Sequence, residues 1–109
     1  MKSAQHYKIV VYVPESHGDT LREALASAGA GHIGNYSHCT FTSKGIGRSK
    51  PLPGANPAIG TVGQLEAIAE ERIETVCAAA FLPQVLKAIR AVHPYEEPAT
   101  DVYLLEVVE

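Results

Sequence analysis

Four side chains able to bind or transfer protons crowd one hexapeptide, His-Pro-Tyr-Glu-Glu-Pro at 93–98. An imidazole beside carboxylates is a usual donor set for a borderline divalent ion such as copper or zinc, so His93 with Glu96 or Glu97 is a candidate metal site. A second group of donors, His32, His38 and Cys39, lies in the glycine-punctuated segment 31–39. A third segment carries Arg48, Lys50 and Asn56, followed by Gly54-Ala55-Asn56-Pro57 and Ile59-Gly60. Arg48 and Lys50 can pair with Glu96 or Glu97, or receive an anionic ligand. The candidate ligand-binding set is therefore Arg48, Lys50, Asn56, Tyr95, Glu96 and Glu97. Prolines on both sides of Tyr95 fix its geometry without chemistry, so a rigid turn packed at a subunit contact is the competing reading.

No catalytic residue is expected. Cys39 beside His38 invites a thiol–imidazole pair, but neighbours in a strand face apart, and no helix start lies near enough in sequence to activate the thiol. Gly45-x-Gly47 lacks the strand–turn–helix setting and third glycine of a phosphate loop. A spacing of five residues between His32 and His38 is not one that zinc sites use.

The chain has 109 residues, which predicts one domain, 1–109, with a self-sufficient core. A formal charge of −3 gives no basic footprint, so no nucleic-acid partner is expected. No apolar run approaches the ~18 residues of a membrane span, and the first residues carry no apolar signal core. Cys39 and Cys77 are far apart, outside any Cys-x-x-Cys spacing, which argues against a disulfide framework. A cytoplasmic location and no membrane partner are the expectations.

The elements that must position these residues repeat. His6–Val13 is rich in β-branched and aromatic residues and reads as a strand ended by Pro14. Ser16 is the expected N-cap of a helix, with Asp19 three residues on and an apolar face of Leu21, Ala24, Leu25 and Ala28. Gly29 and Gly31 supply its stop. A shift of 64 residues, without gaps, aligns Ile9 with Ile73, Val13 with Cys77, Leu21 with Val85, Ala24 with Ala88, Leu25 with Ile89 and Ala28 with Val92. The second helix has Pro83 in its first turn. Strands over 35–43 and 99–108 follow the two helices, and the first of these is expected to pair with 64–79 in a long hairpin. The order β-α-β-β-α-β predicts an α+β, ferredoxin-like fold: a four-stranded antiparallel sheet with both helices on one face. The runner-up adds a short strand near 48–52.

Alternation puts Tyr7, Ile9, Val11 and Val13 on one face of the first strand and Val10 and Tyr12 on the other; in the last, Val102 and Leu104 oppose Tyr103, Leu105 and Val107. Two helices cover one face only, so the other face is expected to be apolar and to drive self-association. The same topology sends the loop after each helix to opposite ends of the sheet, which separates His32 from His93. A metal shared between them would need a subunit contact. The connection 44–60 should lie at the same end as 93–98.

The segment 93–98, following a helix and leading into a strand, resembles that of CutA-like (PII-like) proteins. Taken with 31–39 and Gly54-Ala55-Asn56-Pro57, it is similar to the insert domain of the NIF-three-like (Ngg-interacting factor, YqfO-type) family, from about Tyr7 to Leu105. The resemblance implies a CutA-like domain that forms trimers and binds a small ligand or a protein partner. Copper or zinc binding at a subunit contact is the alternative, and a hydrolytic role the remaining one. Full-length members carry a two-metal site in a larger surrounding domain. That domain has no counterpart in this sequence, so the resemblance implies the non-catalytic insert alone.

Overall fold

The computed structural model describes residues 5–106 and 108. Four strands, β1 (His6–Pro14), β2 (Phe41–Ser49), β3 (Glu66–Ala78) and β4 (Thr100–Leu105), form one sheet in the order β2-β3-β1-β4. All three pairings are antiparallel. Helices α1 (Gly18–Ser27) and α2 (Leu82–Val92) follow β1 and β3, each through a single 3-10 turn. This is the ferredoxin-like architecture that the repeat predicts.

The repeat is legible because all but one of the aligned apolar pairs, Ala24 with Ala88, enter or pack against one core. Ile9, Val11 and Val13 of β1 and Ile73 and Cys77 of β3 pack under Leu21 and Leu25 of α1 and Val85 and Ile89 of α2. Burial of such side chains contributes about 1.5–3 kcal/mol each. Glu71 enters the same face as the only strongly buried carboxylate among the described residues. Arg22 neutralises it at 2.9 Å and also donates to Thr42 Oγ1 and Asp19, which fastens α1 to the sheet.

Three expectations change. The first concerns β2, which begins at Phe41 rather than Asn35 and runs on through Arg48 to Ser49. Residues 31–39 are held off the strand by a tight Ile33–Tyr36 bridge and by His38 at φ 62°. Gly45 and Gly47, which read as loop residues, lie inside the strand. The Glu70 carboxylate folds across Gly47, where a Cβ would displace it. Arg48 belongs to β2 itself, and no separate strand forms over 48–52.

The second change is at α1. Its N-cap is His17, with no side-chain capping bond. Ser16 hydrogen-bonds to His17 Nδ1 instead, because the 3-10 turn moves the helix start past it.

The third is the open sheet face. It is mixed rather than apolar: Lys8 pairs with Glu74 at 3.7 Å, and Arg72 lies 5.9 Å from the ring centre of Tyr12. Val10 is wholly buried among them. The last strand stops at Leu105, and Val107 lies outside the described residues.

β3 outruns β1. Pro14 pairs with Glu70, and Glu66–Ala69 pair with β2 alone. The two strands thus extend as an arm, and the molecule measures 53 × 23 × 22 Å. Among the described residues no helix is long and apolar enough to cross a membrane.

Candidate functional site

The end of the sheet from which the arm projects gathers the residues of 93–98. Helix α2 ends at Val92, since Pro94 pushes His93 out of helical geometry; the His93 backbone is extended at ψ 131° while its N–H still donates to Ile89 O. The His93 ring turns inward and is only 7% exposed. Its two nitrogens are both occupied: Nε2–H donates to the Tyr12 carbonyl at 2.7 Å, and Nδ1 accepts the Tyr95 N–H at 3.1 Å. This pattern belongs to the neutral Nε2–H tautomer. Burial lowers the His93 pKa, opposed by its bond to Tyr12 and by the charge of Glu70.

Tyr95 continues the network. Its ring centre is 5.0 Å from that of His93, and its hydroxyl donates to Glu70 Oε2 at 2.9 Å. Burial, then Glu70, raises the phenol pKa, so Tyr95 stays a hydrogen-bond donor. Glu96 Oε2 accepts the Asn56 N–H at 3.0 Å, tying the turn to the loop at the arm's tip. On one side of Tyr95 a cavity of about 320 Å³ is lined by Lys50, Pro51, Pro57, Ile59 and Glu97. On the other side, Arg48, Tyr12, Glu70 and Glu97 border a cavity of about 220 Å³.

Arg48, Lys50, Asn56, Tyr95, Glu96 and Glu97 therefore lie around one turn. The expected pairing of Arg48 or Lys50 with Glu96 or Glu97 does not form among the described residues, because Glu96 takes a backbone amide instead. Below the arm, Lys44 of β2 pairs with Glu15 at 3.2 Å.

The metal candidates are separated. His93 has no lone pair left for an ion in this arrangement, and among the described residues no three His, Cys, Asp or Glu side chains converge on a common point. His32, His38 and Cys39 sit at the opposite end of the sheet. His38 faces Glu23 at 3.3 Å, and Cys39 holds its segment through backbone bonds to Gly31 and Thr75. His38 and Cys39 precede β2, so the strand alternation expected of them does not apply.

Sequence reasoning missed Glu70, Tyr12 and Gly47. The available signal was the Glu70–Glu71 pair inside a strand: period two sends neighbours to opposite faces, one to Arg22 and the other to Tyr95.

Comparison with known proteins gives the class first. The chain superposes on CutA from Synechococcus elongatus with a TM-score of 0.68 at 15% identity, covering 96% of this chain and 80% of that one. It superposes on a Bacillus cereus protein related to NIF3 with a TM-score of 0.85 at 48% identity, covering 98% of this chain and 27% of that one. The fold is that of a CutA-like, PII-like domain. In sequence it is 56% identical over 99 residues to a GTP cyclohydrolase 1 type 2 homolog of Halalkalibacterium halodurans, covering 91% of this chain and 27% of that protein. The corresponding protein of Bacillus subtilis is 52% identical, with 26% of its length covered. No family model matches the chain. Over nearly its whole length the chain is similar to one segment of these NIF3-related proteins, and it spans about a quarter of their length.

Proposed function

We propose that this chain is a non-catalytic, homo-oligomeric binding domain, with a trimer as the expected assembly and the cavities beside Tyr95 as the place for a small ligand or a partner's side chain. The observation that carries the assembly is β4. Among the described residues it pairs with β1 alone, so its other edge offers free backbone donors and acceptors. Val102, Tyr103 and Leu104 are 38, 50 and 63% exposed along it, and Asp101 is its only charge. The outer edge of β2 is also unpaired, and Phe41 and Ile46 stand exposed on that strand. Pairing of β4 of one copy with β2 of the next, closed into a ring of copies, would cover both edges.

The non-catalytic part of the reading is supported by what the reactive groups already do. His93 spends both nitrogens on the backbone, Tyr95 is held as a donor to Glu70, and Glu96 is held by an amide. The name carried by the longer relatives describes proteins of which this chain matches a quarter. Native mass spectrometry of untagged protein tests the assembly. A trimer is expected, and Leu104→Asp with Phe41→Asp should yield a folded monomer. A wild-type monomer at micromolar concentration would overturn the reading.

A further inference from the structure

We infer that the turn at 93–98 is a proton-operated latch, in which neutral His93, anchored on Tyr12, holds the Tyr95 amide in the closed turn and a proton on Nδ1 releases it. The inference goes beyond the assembly and ligand reading above, and holds in any oligomeric state and with the cavities empty or filled.

The geometry sets the logic. The Tyr95 N–H points at Nδ1 from 3.1 Å, and this contact requires a lone pair there. Protonation places an N–H where the acceptor was, so two donors face each other across a buried contact. The ring cannot exchange roles by flipping, because its other nitrogen donates to the Tyr12 carbonyl at 2.7 Å and only a donor is useful there. The strain therefore falls on the turn beyond His93, where among the described residues two side-chain ties remain: Tyr95 hydroxyl to Glu70, and Asn56 N–H to Glu96. Both lie downstream of Tyr95 N. Tyr95 lines both cavities, together with Ser49, Ile68 and Glu97, so release of its amide reshapes both.

The groups that face His93 come from each neighbouring element. Tyr12 on β1 offers its carbonyl, Glu70 on β3 favours the imidazolium, and His17 in the turn before α1 disfavours it. Tyr95 covers the ring from the turn itself. Burial is the largest influence and acts against the charged form. The closed turn is thus the neutral-pH state, and acidification through the imidazole range opens it.

Nitrogen-15 NMR and amide exchange on the intact chain test this. At about pH 7.5 the His93 ring should show the Nε2–H tautomer. Between there and about pH 5, the protection factors of the Tyr95 and Asn56 amides should fall about tenfold or more. Those of Ile9 and Ile73 should hold. In His93→Gln, which retains a donor for Tyr12 and does not titrate, any protection of the two amides should not change over the same range. Protection that stays level through the titration of His93 would overturn the latch. So would a fall that persists in His93→Gln, since the titrating group would then be another. The wild-type experiment decides by itself should the variant fail to fold.

Discussion

The loop after α1 and the turn after α2 occupy the same place in the two repeats, and they are built from opposite materials. The first closes with glycine. Gly29 and Gly31 have φ of 106° and 81°, and Gly31 is tied by its N–H to Val76 O at 2.7 Å and by its carbonyl to Cys39 N–H. The second closes with Pro94 and a buried histidine, and its ties run through side chains: His93, Tyr95 and Glu96. A loop held by its own backbone keeps its shape whatever its side chains do. A loop held by titratable side chains changes shape when they change state. This is why the donors at 31–39 and those at 93–98 deserve different functional weight, although the sequence presents them as comparable sets.

The largest break in that comparison is His93→Ala against His32→Ala. Removing His93 leaves the Tyr12 carbonyl and the Tyr95 N–H without partners and opens a small void, at a cost of about 3 kcal/mol. His32 is exposed, and its removal should leave the denaturation midpoint within error of wild type. Chemical denaturation of both variants checks the contrast; equal effects would erase the distinction between the loops. The pH dependence runs the same way. Burial lowers the folded pKa of His93 below its ordinary 6.5. The unfolded chain therefore binds the proton more readily. The stabilisation by neutral His93 is complete above the unfolded value and declines as pH falls through it toward the folded one.

Glycine substitutions sharpen the other side of the comparison. A Cβ at Gly31 would lie 2.9 Å from Cys39 N and 3.0 Å from its carbonyl, both backbone atoms. With the positive φ added, Gly31→Ala should cost about 2–3 kcal/mol. Gly34 also has a positive φ, at 56°, but nothing lies within 4 Å of the position a Cβ would take. Gly34→Ala carries the backbone strain alone, about 1 kcal/mol. Thermal or denaturant unfolding of the pair separates steric from conformational cost; equal losses would mean that the close approach at Gly31 relaxes.

The fold was readable because the repeat writes its core twice. Ile9 and Ile73, or Leu25 and Ile89, carry the same message at the same spacing, and tertiary packing agrees with it. What escaped was what depends on distant partners. The length of β2 rests on its ladder with β3, which runs to Ser49 opposite Glu66 and which no local propensity encodes. The α1 start moved because a 3-10 turn intervened. The candidate residues from 48 to 97 were chosen by residue type, and the topology places them at one end. Their bonding was not legible: a carboxylate that meets a backbone amide looks, in sequence, like one waiting for Arg48 or Lys50.

The smallest effect is also the most discriminating for the Tyr95 link. Tyr95→Phe keeps the ring against His93 and deletes only the hydroxyl that donates to Glu70 at 2.9 Å. The Glu70 carboxylate is partly exposed and can recruit water, so the loss should be about 1 kcal/mol or less. The Tyr95 amide, bonded to His93 Nδ1, is untouched by the change. If the backbone bond is the primary tie, its protection at neutral pH should fall by no more than a few-fold in Tyr95→Phe. The loss of protection on acidification should remain. A turn that opens at neutral pH in this variant would instead make the phenol–carboxylate bond the main fastening. The histidine would then be a bystander to it, and hydrogen exchange at Tyr95 and Asn56 distinguishes the two arrangements in one experiment.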